Sequence, residues 1–164
     1  MLIGPVAFLA HDAEEIITLG PWLREHGDAL PAMARSFVDG FSTAQFAISV
    51  AVLGTVYAIV TVLGVRSLRL GRTPWAYLVA TGALVGNGLT HVLQVLYFRG
   101  YTPGVVTAIL VTLPYSWLAA RALARDGIAS RRLLSTLLAV GILLQLPLAI
   151  SALALGEALH PSDL

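Results

Sequence analysis

His11-Asp12-Ala13-Glu14-Glu15 places one imidazole and three carboxyl groups inside an otherwise apolar stretch. Residues 2–10 before it carry no charge, and residues 16–19 after it are apolar again. An ionisable side chain held at bilayer depth costs roughly 2.5–3.5 kcal/mol or more unless it is paired, neutralised or bound. Two chemistries suit this set of groups. Imidazole and carboxylate are donors for a divalent metal such as zinc or iron(II). Neighbouring carboxyls in different surroundings can instead divide acid and base roles between them. On a helix His11 lies three residues from Glu14 and four from Glu15, so these three share one arc. Asp12 is turned by about 100° from His11 and reads as the outlier.

The elements that must position these groups follow from the hydropathy pattern. Only 12% of the 164 residues are charged and 57% are hydrophobic, with a mean hydropathy of +0.83. Soluble domains carry about 25% charged residues, so the chain belongs to the membrane class. The expected fold is all-α: a single polytopic membrane helix bundle of about five transmembrane helices, over residues 2–19, 42–65, 75–98, 104–123 and 133–158. Gly20-Pro21 reads as the break that ends the first helix. Residues 22–41 read as an extramembrane loop with a short surface helix near 31–38, Trp22 and Phe41 anchoring it at the interface. Pro114 is expected to kink the fourth helix. A secretory leader cleaved after Ala10 is disfavoured, because the segment has no basic start and only a short apolar run before the acids.

All ten basic residues besides histidine are arginine, and there is no cysteine, which excludes disulfides, thiolate metal sites and cysteine nucleophiles. No clustered basic face is present, so no nucleic-acid partner is expected. Arg66, Arg69, Arg72, Arg121, Arg125, Arg131 and Arg132 follow the second and fourth helices. That bias predicts a cytoplasmic N-terminus and cytoplasmic Arg-rich loops, with the C-terminus outside.

With that orientation, depth follows at 1.5 Å per residue. His11 falls about 14 Å in, Glu14, Glu15, Asn87 and Gln145 about 18–20 Å, and His91 about 24 Å. Polar groups of three helices therefore share one layer near the middle of a core about 30 Å thick. Asn87, His91 and Gln94 fall on one stripe of the third helix, and Gly82-Ala-Leu-Val-Gly86 permits close helix approach. Ser49, Thr55, Thr61 and Thr107 read as residues that bond their own helix backbones. No arginine lies in the hydrocarbon layer to pair with the acids. Shared protons, a carboxylate–imidazolium pair or a bound cation must compensate them.

Three elements in this order carry a resemblance: His11-Asp12-Ala13-Glu14-Glu15, the further histidine His91, and Tyr101-Thr102-Pro103-Gly104. The chain resembles the HXXEE family of small bacterial membrane proteins, which has the same motif, a further histidine and a YXPG element. The resemblance implies a multi-pass protein of the bacterial inner (plasma) membrane and supports the site. It implies no reaction.

The residues themselves favour an intramembrane enzyme acting on a lipid-like or isoprenoid-like molecule. In one version His11, Glu14 or Glu15, and His91 supply ligands to Zn or Fe(II), with Asn87 or the second glutamate orienting a water. In the other, Glu14, Glu15, His91 and Asn87 do metal-free acid–base work. Gln145 completes the polar layer, and Tyr101 is either part of a rigid turn or a lip that donates a hydrogen bond to a ligand head group. The expected partners are the bilayer, a lipid-like small molecule and a second copy of the chain. A proton- or cation-coupled transporter or channel, and a structural assembly partner, remain alternatives.

Overall fold

The computed structural model describes residues 1–32, 35 and 42–160. Among them the chain is helical, with no strand. The five long helices are α1 (Gly4–His26), α2 (Thr43–Arg69), α3 (Trp75–Phe98), α4 (Val105–Arg125) and α5 (Arg131–Leu159). The surface helix expected near 31–38 and the anchor Phe41 fall largely outside the described residues.

Four of these helices, α2 to α5, are long and apolar enough to cross a membrane. At 23 residues α1 is also long enough, but Asp12, Glu14 and Glu15 interrupt its apolar run. Its outward stripe is nonetheless lipid-like: Ile3, Val6, Leu9 and Ile17 are all exposed. Its inward stripe buries Gly4, Phe8, His11 and Asp12. Apolar-out and polar-in is the reverse of a soluble helix, and it suits a bundle whose solvent is lipid. Leu110 at 70% and Leu143 at 77% exposure extend the apolar exterior over α4 and α5.

Gly20-Pro21 does not end α1. The helix continues through Pro21 to His26, and Trp22 is buried rather than anchoring a loop. Trp22 Nε1 donates to Tyr101 O at 2.8 Å, and its ring stacks on His26 and meets Phe98 edge-on. That packing holds the extra turn despite the missing proline N–H. Elsewhere sequence and structure agree closely. α3 has the bounds its pattern predicts, and α2 starts at a capping box in which Ser42 and Gln45 bond reciprocally at 2.7 and 3.1 Å.

The largest helix contact is α3 against α5, and small residues create it. A Cβ on Gly82 would strike the Leu138 backbone, and one on Gly141 would strike Val79 O and stand 2.7 Å from Ala83 N. Gly86 sits 3.2 Å by the same measure from Ile142 Cα and Gln145 Cβ. The glycine pair of α3 thus docks on a glycine of α5, bringing Gln145 beside Asn87. At the far end of α5, Gly156 lies against Gln45 and Ser49 of α2, and Gln45 Nε2 donates to His160 O at 2.8 Å. α2 meets α3 near Gly64 and Tyr77. Between these contacts the helices stand apart and leave a cavity.

α4 is not uniform. Ala108–Thr112 forms a π turn in which Leu113 N–H reaches Ala108 O. Pro114 follows immediately and can neither donate to Leu110 nor tolerate its carbonyl close by. The wide turn accommodates that conflict immediately before the proline.

Candidate functional site

The polar residues of α1, α3 and α5 come together with the start of α4 and divide into a latch, a triad and a chamber. Glu14 belongs to the latch. Its Oε1 accepts from Tyr101 Oη at 2.9 Å and Val106 N at 3.3 Å, and its Oε2 from Thr107 N at 2.8 Å and Thr107 Oγ1 at 2.6 Å. Four donors on one carboxyl suit the acceptor-only, ionised form. Tyr101, exposed at the loop between α3 and α4, is thereby tied to α1. Partial desolvation, and then its bond to Glu14, raise its phenol above the usual range, so it remains a donor at neutral pH.

Thr107 has one hydroxyl proton, and the near carboxylate takes it. His11 Nδ1, 3.0 Å from Thr107 Oγ1, must then be the donor of that contact. His11 Nε2 is left with a lone pair, which accepts from Asn87 Nδ2 at 2.8 Å. Gln145 Nε2 reaches Asn87 Oδ1 at 3.4 Å. The polarity of the whole chain, from Gln145 through Asn87, His11 and Thr107 to Glu14, is set by the carboxylate at its end. Asn87 and Gln145 thus reach His11 as the depth arithmetic expects. Thr107 does more than bond its own helix: it joins His11 to Glu14, residues 96 and 93 positions away.

Glu15 turns the other way, toward α3. Its Oε1 lies 3.1 Å from His91 Nε2. The approach is close, yet neither His91 nitrogen has an aligned hydrogen-bond partner, and the ring is 4% exposed. The His11 and His91 rings meet edge-on with centroids 4.8 Å apart. His11, Glu15 and His91 each offer a ligand atom, and these atoms all lie within 4.8 Å of one another, so the group can hold a metal ion. Ligands about 2.0–2.1 Å from a tetrahedral zinc stand about 3.3 Å apart, close to the Glu15–His91 separation. A carboxylate and an imidazole nitrogen at this distance can pair as ions or share a bound cation.

Gly104 makes the arrangement possible. Its φ is +82°, and a Cβ there would stand 2.8 Å from Glu15 Cγ, 2.8 Å from His91 Cε1 and 3.0 Å from His11 Cε1. The final residue of Tyr101-Thr-Pro-Gly104 is therefore glycine for two reasons, a left-handed turn and contact with all three members of the triad. The first residue of the same element closes the latch.

These motif residues also match a family profile: a protein of unknown function with HXXEE motif, over residues 2–119. The chain belongs to the HXXEE family. The matched region contains the triad, the latch and Asn87, and stops before α5 and Gln145. No curated protein and no solved structure matches the chain.

The cavity lies on the Glu15 side. Its volume is about 240 Å³, and α1, α2, α3 and α5 supply its walls. Most of the lining is apolar, including Phe8, Val50, Leu53, Leu84 and Leu148, while Asp12, Glu15, Asn87 and Gln145 form a polar end. Asp12, the outlier by rotation from His11, is 6% exposed and shares this cavity with Glu15. The spacing held the signal: Asp12 and Glu15 are themselves three residues apart and so share a second arc. Gln94 belongs neither to the triad nor to the cavity wall.

Proposed function

We propose that this HXXEE protein is an intramembrane enzyme in which His11, Glu15 and His91 hold a divalent metal, zinc or iron(II), beside a chamber for a lipid-like or isoprenoid-like substrate. The observation that carries this reading is the pair Glu15 Oε1 and His91 Nε2, 3.1 Å apart, with the His91 ring buried and His11 beside them. Three protein ligands leave coordination positions open, as in catalytic rather than structural sites. For His11 the free lone pair is on Nε2, so metal binding exchanges the Asn87 contact for the metal, while Thr107 keeps hold of Nδ1. Glu14, with its four donors, positions the α4 end and leaves ligation to Glu15. The metal supplies Lewis acidity or an activated water. Asn87, released by His11, can orient that water or the substrate.

In this reading α1 crosses the bilayer as a fifth span. Its exposed Ile3, Val6, Leu9 and Ile17 supply a lipid-facing stripe, and its acids face inward. The arginine bias supports a cytoplasmic N-terminus in the inner membrane. Metal-free acid–base chemistry is the second reading, favoured by Asp12 and Glu15 as two carboxyls in one dry chamber. Transport has less support, because the hydrogen-bonded chain ends in the amides of Asn87 and Gln145, which do not carry protons onward.

The test is metal content of the detergent-purified protein, with His11→Ala, Glu15→Gln, His91→Ala and Glu14→Gln in parallel. Near-stoichiometric zinc or iron in the parent and Glu14→Gln, lost from the other three, supports the metal centre. A parent without metal after growth in zinc and iron retires it in favour of the acid–base reading.

A further inference from the structure

The chamber's hydrogen-bonding groups are unbalanced, and the imbalance describes the ligand. Ser49 spends its only proton on Gln45 O at 2.9 Å. The Asn87 and Gln145 amides each commit one of their two hydrogens within the chain that ends at His11 and keep the other. Tyr57 lends its ring to the wall, while its hydroxyl lies toward Gly4, where a Cβ would stand 2.7 Å away. Acceptors remain. Asp12 is 6% exposed, its carboxyl stands beside that of Glu15, and its Oδ2 has no partner of good hydrogen-bond geometry. Glu15 adds a second carboxyl to the same wall. No arginine is among the lining residues, and the chain has no lysine. A phosphate or carboxylate head placed against Asp12 would meet a second carboxyl and no arginine, in surroundings that screen poorly; only a cation held by the triad would draw such a head, and then to the Glu15 side.

The walls add shape. About 240 Å³ is room for one narrow apolar body. Val56 and Leu148 line the chamber and are also 52% and 45% exposed, so it opens to the lipid-facing surface between α2 and α5.

We infer that the chamber takes a single-chain apolar molecule whose head donates hydrogen bonds, an alcohol or an amine, with Asp12 Oδ2 as its anchor. This rests on the chamber as the substrate site and not on the metal. The head enters beside Glu15, and the tail leaves through the gap at Val56 and Leu148. A buried carboxyl that loses its donor, or a donor that meets an amide instead, changes affinity by about tenfold.

The experiment uses three diazirine-bearing single-chain probes of equal length, ending in alcohol, amine and carboxylate, with the full chain in proteoliposomes. Saturable crosslinking to α2 and α5 peptides around Val56 and Leu148 is read by mass spectrometry. The alcohol or the amine is expected to label at least about tenfold more than the carboxylate, and Asp12→Asn to lower that labelling by about tenfold. The alcohol and amine arms distinguish the two heads. Ala149→Trp, which fills the chamber without touching Asp12, is expected to abolish labelling and guards against a misfolded Asp12→Asn. Equal labelling by the carboxylate, no labelling by any probe, or labelling indifferent to both substitutions overturns the inference. Metal content in the same samples separates the two claims: labelling without metal defeats only the metal centre, and metal without labelling defeats only this one.

Discussion

Gly104→Ala is the substitution whose effect the structure specifies most fully. Carbons in contact rest about 3.5–4.0 Å apart, so the new methyl would be too close by about 0.5–1.2 Å to Glu15, His91 and His11 together. Crowding a packed site in this way costs about 1–3 kcal/mol. The left-handed backbone adds about 1–2 kcal/mol for any residue with a Cβ. Gly71→Ala separates the two contributions, because Gly71 has φ +66° with nothing within 4 Å of the added Cβ. Gly104→Ala should therefore be the less stable of the pair by about 1–3 kcal/mol, or roughly 2–12 °C in melting temperature at about 2–4 °C per kcal/mol. Thermal unfolding of both proteins in one detergent measures that difference. Chelator competition on the same samples should show metal affinity reduced by at least about tenfold in Gly104→Ala and unchanged in Gly71→Ala. If the two variants melt together and bind metal alike, the close packing of Gly104 on the triad is refuted.

Thr107→Val removes the acceptor that orients His11, and metal affinity should fall by about 10–100-fold, with Thr107→Ser restoring it; chelator competition reads both, and an unaffected valine variant contradicts the role. Glu14→Gln sets an amide against hydrogen-bond donors at a half-exposed latch. It should lower stability by about 1–3 kcal/mol and, acting only through Thr107 and His11, weaken metal binding no more than Thr107→Val does, with the metal still present; loss of metal without loss of stability would reverse the parts given to Glu14 and Glu15. The chain has no cysteine, so single substitutions report topology cleanly. Asp28→Cys should react with an impermeant maleimide in intact cells and Arg72→Cys only after permeabilisation; the opposite pattern inverts the orientation.

The fold was largely legible because membrane helices announce themselves by length and apolarity, and α3 shows it best, set between Pro74 and Arg99-Gly100. The end of α1 was not legible. Gly20-Pro21 is a sound break signal, and it is overridden by contacts from Tyr101 and Phe98, about 80 residues away in sequence, which no local pattern reports. The site was legible as a layer but not as a division of labour. Adjacent glutamates on a helix point about 100° apart, so Glu14 and Glu15 had to face different neighbours, yet spacing does not say which neighbour each one meets. Thr107 looked like any helix threonine. Its part depends on the π turn beside it and on α1 packing against that turn. Asp12 reads as an outlier by its rotation from His11, whereas its three-residue spacing from Glu15 puts both on the chamber wall.

X-ray absorption at the metal edge of the purified protein addresses the centre itself. The account expects one zinc or iron with only nitrogen and oxygen neighbours at about 2.0–2.2 Å, two imidazoles contributing their outer-shell scattering, and one imidazole fewer in His91→Ala. A spectrum without imidazole scattering, or one that His91→Ala leaves unchanged, would contradict it.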